Sequence, residues 1–93
     1  MIKEVRLCAR VEKELKKLPL QVRRRLLGWA LDVQRIGLEE VRKCSPGLHD
    51  EPLAGNRAGQ RSIRLNLHWR AIYEIRGDAV AVALVVEVTP HKY

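Results

Sequence analysis

Arginine recurs at Arg57, Arg61, Arg64 and Arg70, and the last seven residues, EVTPHKY, set His91 and Tyr93 where an apolar strand runs out. A guanidinium grips phosphate through paired hydrogen bonds and stays charged at every relevant pH. An imidazole with an ordinary pKa near ~6.5 gives or takes a proton at neutral pH, whereas a phenol near ~10 needs a cationic neighbour to act as a base. Cation, imidazole and phenol brought together suit phosphoryl chemistry. His49 stands in a long loop from which it could reach the mouth of the same cleft, and His68 reads as part of a tight turn.

Three strands would have to position these groups: about 60 to 66 (QRSIRLN), 69 to 76 (WRAIYEIR) and 79 to 88 (AVAVALVVEV), joined through LH and GD. In the second, Ala71, Tyr73 and Ile75 point one way and Arg70, Ile72, Glu74 and Arg76 the other. With helices covering the first set, Arg70 projects from the open face. Ser62 and Arg64 share one face of the preceding strand and Arg61, Ile63 and Leu65 the other, so a regular strand brings only one of Arg61 and Arg64 to the cleft. Which one stays open at this point. The competing account is that these arginines are solvated and paired with Glu74 or Glu87; it is favoured at Arg57 and Arg76 and disfavoured at Arg70. For PHKY the competing account is a frayed tail.

Helical spacing fills the first half. Cys8, Val11, Leu15 and Leu18 recur at intervals of three and four, predicting an amphipathic helix that stops before Pro19. A second helix runs from about Pro19 to Ile36 on the stripe Val22, Leu26, Trp29 or Ala30, Val33 and Ile36, with Gly37 as its C-cap. Gly28 costs that helix about 1 kcal/mol relative to alanine, and close packing against the first helix would offset it. LEEVRK adds one more helical turn, residues 45 to 59 form a long exposed loop, and MIKEVRL is a short edge strand. The expected fold is a single α+β domain over residues 1–93, with two N-terminal helices packed on one face of a small antiparallel sheet.

The chain carries 18 Lys and Arg against 11 Asp and Glu, a net charge of +7, so a polyanion or an acidic protein is the expected partner. The excess is helical: residues 1 to 44 hold 12 basic and 6 acidic groups, residues 45 to 93 hold 6 and 5. Cys8 and Cys44 show no metal or redox spacing and read as small core residues in a reducing cytoplasm. The longest apolar run, AVAVALVV, is too short to span a bilayer, and no signal peptide is expected. Without GxxxxGK[ST], HExxH or a Ser-His-Asp arrangement, an NTPase, a metalloprotease and a serine hydrolase are unsupported.

The segment EPLAGNRAGQRSIRLNLHWRAIYEI followed by VVEVTPHKY resembles the RelE/HigB/ParE-type toxins of bacterial type II toxin-antitoxin systems, and the HigB-like branch most of all. The resemblance covers most of the chain, including the KLP break between the helices, and Pro52 to Tyr73 is its specific part. It implies a small microbial RNase fold that cleaves mRNA in the ribosomal A site without a metal or cofactor, and a cognate antitoxin covering the cleft or the helices. Arg70 matches the family's [YW]R strand and would hold the scissile phosphate; His91 and Tyr93 match H-x-Y and would supply acid and base, in either order. Arg61 or Arg64 would be a second phosphate ligand, with Arg57 and His49 nearby. Glu51 and Ala54 stand where HigB-like loops carry histidine and lysine.

Three functions then compete. A ribosome-dependent endoribonuclease would dock on ribosomal RNA through Arg23, Arg24 and Arg25. A ParE-like inhibitor of DNA gyrase would use the same fold without RNA chemistry. A catalytically weakened member would bind RNA or antitoxin only. The H-x-Y ending favours the first.

Overall fold

Pro19 divides the helical half as its missing N–H and fixed φ require, leaving α1 (Ala9–Glu14) with a 3₁₀ turn at Leu15–Lys17 before it and α2 (Leu20–Ile36) after it. The first helix is thus shorter than the spacing to Leu18 predicted, its last turn tightening as the chain approaches the proline. Gly37, at φ 90°, caps α2 by donating its N–H to Val33 O at 2.8 Å. LEEVRK makes more than a turn: it forms α3 (Leu38–Cys44), with Glu39 and Glu40 in its first turn, where the helix dipole favours them. The computed structural model describes residues 1–77 and 82–90.

Three helices pack on one face of a five-stranded sheet: β1 (Val5–Leu7), β2 (Glu51–Pro52), β3 (Gln60–Arg64), β4 (Trp69–Arg76) and β5 (Val82–Pro90), in the order β1-β5-β4-β3-β2. The α+β class holds and β1 is an edge strand, but the sheet is mixed, because β1 runs parallel to β5. The loop expected over 45 to 59 is more ordered than its glycines suggested, holding β2 and 3₁₀ turns at Pro46–Leu48 and Gly55–Arg57. β3 stops at Arg64, because Leu65 and Asn66 turn the chain by donating their N–H groups to Trp69 O. Asn66 Oδ1 accepts from the N–H groups of His68 and Trp69, so His68 is turn structure as expected. β5 continues past Val88 to Pro90, and the expected strand residues 79 to 81 lie outside the described residues.

Val22, Leu26, Trp29 and Val33 of α2 and Leu38 and Val41 of α3 bury against Ile63, Ala71, Tyr73, Ala83, Val85 and Val88 of the sheet. Trp29 and Tyr73 meet with ring centroids 5.2 Å apart and planes at 46°, a tilted aromatic pair at the centre of the interface. Of the two cysteines expected in the core, Cys44 is exposed, whereas Cys8 is half-buried and packs against the core's edge with its thiol 3.5 Å from Val86 O. Gly28 is not packed against α1 either, since a Cβ there would meet nothing within 4 Å. Among the described residues, no helix is long and apolar enough to cross a membrane.

Candidate functional site

Strand register decides which arginine reaches the open face. Arg61 pairs with Tyr73 and Ile63 with Ala71, all four on the helix-covered side, so the alternate residues Ser62 and Arg64 belong to the open side. Arg64 lies directly opposite Arg70, which lies opposite Thr89; one step along, Glu51 faces Ser62, Ser62 faces Ile72, and Ile72 faces Glu87. Two rows therefore cross the open face, one of arginines and a hydroxyl, the next with a carboxylate at each end.

A β-bulge completes this arrangement. Ile72 pairs with Glu87 but Tyr73 pairs with Val85, leaving Val86 without an opposite number. Simple alternation from Ala83 and Val85 would turn Glu87 and Thr89 toward the helices. With Val86 absorbed in the bulge, Val88 returns to the core and Glu87 and Thr89 face the cleft.

Like charges directly opposite on neighbouring strands are destabilising, and no described residue compensates this pair. Arg64 and Arg70 make no ion pair with any described residue, and each keeps Nε buried without a hydrogen-bond partner. A phosphate between the two guanidiniums would supply the missing acceptors and reverse the repulsion.

Arg57 behaves differently. From the 3₁₀ turn between β2 and β3 its side chain reaches across the sheet to β5, donating from Nη2 to Glu87 Oε1 at 2.7 Å and from Nη1 to Gln60 Oε1 at 3.0 Å. It is a strap over the open face with its charge matched by Glu87. Beneath it, Leu53, Ile72 and Pro90 form the apolar part of a groove of about 620 Å³, and Glu51, Ser62, Arg70 and Thr89 its polar part.

Arg61 is not a cleft residue. Its Nε donates to Asp50 Oδ1 at 2.6 Å and its Nη2 to Asp50 O at 3.1 Å, on the helix-covered side. The buried Asp50 carboxylate also accepts from Arg42 Nε at 3.2 Å and from the Tyr73 hydroxyl at 2.5 Å, and Arg42 Nη2 donates to that hydroxyl at 2.9 Å. Burial, and next the hydrogen bond to Asp50, push the Tyr73 phenol up to about 12, the adjacent Arg42 acting in the opposite direction. This cluster fixes where the chain enters β2, and so where Glu51 stands.

His49 is exposed at φ 48°, turning the chain out of the Pro46–Leu48 turn, and it does not line the groove. Arg25 is committed to structure, donating from Nε to Leu65 O at 3.0 Å, while Arg24 is exposed and Arg23 half-buried on α2. His91 and Tyr93 lie outside the described residues. Glu87, Ser62 and Thr89 were missed as cleft residues; for Ser62 the parity it shares with Arg64 was a usable signal, whereas Glu87 and Thr89 depend on the bulge. Among the described residues no group of three or more His, Cys, Asp or Glu is placed to hold a metal ion.

No protein-family model and no curated protein matches the sequence. Solved structures do. A YoeB/ParE toxin from Agrobacterium tumefaciens superposes with a TM-score of 0.68 at 16% identity, covering 96% of this chain and 99% of its own. A chain of the toxin-antitoxin complex RelBE2 from Mycobacterium tuberculosis gives 0.68 at 25% identity, covering 99% and 100%. YafQ from E. coli strain BL21(DE3) gives 0.62 at 14% identity, covering 95% and 92%. These three do not single out the HigB-like branch. In its order of helices and strands, over nearly its whole length, the chain has the fold of the RelE/ParE superfamily.

Proposed function

We propose that this chain is the toxin of a type II toxin-antitoxin pair, acting as an endoribonuclease on mRNA in the ribosomal A site. The observation that carries the reading is the Arg64–Arg70 pair, two like charges held opposite each other on an open sheet face with no partner among the described residues. No described residue offers either guanidinium a counter-charge, and a phosphodiester is the ligand that rationalises the pair. The structural likeness to a chain of RelBE2, a toxin-antitoxin complex, supports a cognate antitoxin for this chain as well.

In the proposed reaction the 2′-hydroxyl of the substrate attacks the adjacent phosphorus and the P–O5′ bond breaks. The products are a 2′,3′-cyclic phosphate and a 5′-hydroxyl. A base removes the 2′-hydroxyl proton and an acid returns one to O5′; His91 and Tyr93 are the proposed pair. Arg70, with Arg64 beside it, holds the non-bridging oxygens as negative charge grows on them, and no step passes through a metal. Arg23 and Arg24 are proposed to meet ribosomal RNA, and the protein is proposed to act in the cytoplasm. The HigB-like affinity rests on the segment from Pro52 to Tyr73.

The test is to induce the chain in bacteria lacking any antitoxin and map new 5′ ends on translated mRNAs, comparing wild type with Arg70→Ala and His91→Ala. Codon-phased cleavage that drops by about 10²- to 10³-fold in Arg70→Ala is expected, the usual effect of deleting a contact to developing charge. Growth arrest with intact mRNA and damaged DNA would replace this reading with gyrase inhibition. Harmless expression would mean a site disabled where Glu51 and Ala54 replace histidine and lysine.

A further inference from the structure

The open sheet face holds an apolar patch among its charges. Ile72 points away from the helices and is not part of the core beneath them, yet only 7% of it is exposed. Leu53 and Pro90 join it as the apolar wall of the groove that also contains Arg70. Phosphate oxygens gain nothing from such a wall, whereas the flat face of a nucleobase does. At about 620 Å³ the groove is within the range of clefts that hold small ligands.

Arg57 lines the same groove, and its charge is already matched. Nη2 is bound to Glu87 and Nη1 to Gln60, so an incoming phosphate would have to displace a carboxylate at 2.7 Å. Tied at both Nη groups, the guanidinium is held in one orientation while the side chain stays 43% exposed. It offers a fixed planar cation on which a neutral base can stack without breaking the Glu87 pair. The polar rim supplies hydroxyls at Ser62 and Thr89, which donate and accept, and the carboxylate of Glu51, which only accepts. A base with an exocyclic amino group suits that carboxylate. Uracil does not, because its Watson–Crick edge sets a carbonyl oxygen on either side of its one N–H.

We propose that this groove seats one unstacked nucleobase beside the phosphate held by Arg64 and Arg70. The base lies with its face between Arg57 and the wall of Ile72, Leu53 and Pro90, and Glu51 selects against uracil there. The inference rests on the reading of the arginine pair as a phosphodiester site, and it gives Arg57 to a base and not to the phosphodiester.

The probes are single-stranded deoxy oligomers of about six nucleotides that carry adenine, uracil or no base throughout. Lacking a 2′-hydroxyl, they cannot be cut by the proposed route. Fluorescence anisotropy on the full chain should show the adenine oligomer binding about tenfold or more tightly than the abasic one, with the uracil oligomer between them. Arg57→Lys keeps a cation for Glu87 but removes the planar face. It should cost the adenine oligomer about tenfold and the abasic oligomer less than about twofold. Glu51→Gln puts a donor where only an acceptor stood, so uracil should rise to within about twofold of adenine. Melting curves confirm that each variant folds. Arg70→Ala should weaken all three oligomers by a similar factor, because the phosphate contact is common to them. Adenine and abasic oligomers that bind alike, while Arg70→Ala weakens both, would overturn the base seat and leave the phosphate site standing. Indifference of all three oligomers to Arg70→Ala would overturn the phosphate site, and the seat with it. Undiminished discrimination against uracil in Glu51→Gln would overturn the role given to Glu51.

Discussion

Arg64 and Arg70 oppose each other across a strand pair, and that geometry separates a binding role from a structural one. Removing one guanidinium relieves repulsion, so Arg64→Ala should leave the folded state as stable as wild type or more stable, by up to about 1 kcal/mol. The same change should weaken binding of single-stranded RNA. Denaturant titration beside a filter-binding assay reads both; a loss of stability would make Arg64 a structural residue. Tyr73 gives a second prediction. Its phenol stands at about 12 when folded against an ordinary 10.0, so the folded state keeps a proton that the unfolded chain releases. The resulting stabilisation is complete below pH 10 and is lost as pH climbs from about 10 through about 12. Wild type should therefore lose stability more steeply than Tyr73→Phe across that window in denaturant titrations; parallel slopes would contradict the assigned environment.

Elements were legible where one periodicity governed them. α2 and its Gly37 cap followed from the three-and-four spacing and from the left-handed turn a glycine accepts, and β4 followed from its alternation. Arg70's face followed from the same alternation, because Ala71 and Tyr73 beside it are core residues. Arg61 and Arg64 could not be separated, since the parity that divides them does not say which side the helices cover. Asp50, which claims Arg61, carried no local signal: its partners come from α3, β3 and β4. Nor could alternation foresee the bulge at Val86, which depends on how β4 pairs with β5. Gly28 shows a local cost that packing does not offset. Its Cβ position is open, so Gly28→Ala should stabilise the protein by about 0.5 to 1 kcal/mol, measured by denaturant midpoint at unchanged slope. Destabilisation instead would reveal a close contact there.

At the scale of the molecule, the Asp50 cluster joins α3, the entry to β2, β3 and β4 through one buried carboxylate. Two half-buried guanidiniums would lose their counter-charge in Asp50→Ala, and breaking a buried pair from one side typically costs about 3 to 5 kcal/mol. A melting curve on that variant should show a large drop, and a change within error would mean that water replaces the carboxylate freely. Charge is also divided between surfaces. The open sheet face carries Arg64 and Arg70, which pair with no described residue, and the far side of the helical layer carries Arg24 beside the exposed Leu20, Leu27 and Leu31.

Val5 pairs with Ala83 and Leu7 with Val85, which joins the beginning of the chain to its last described strand. β5 lies between β1 and β4, so the sheet acquires its middle only after nearly the whole chain exists. While the polypeptide is being made, α1, α2 and α3 emerge first, with no completed surface to cover, and the β3–β4 hairpin emerges next without the strand that brings Glu87 and Thr89. Such long-range closure is slow compared with helix formation. The order of synthesis thus delays the finished open face, with its paired arginines and bulge-turned Glu87 and Thr89, until the residues of β5 have been made.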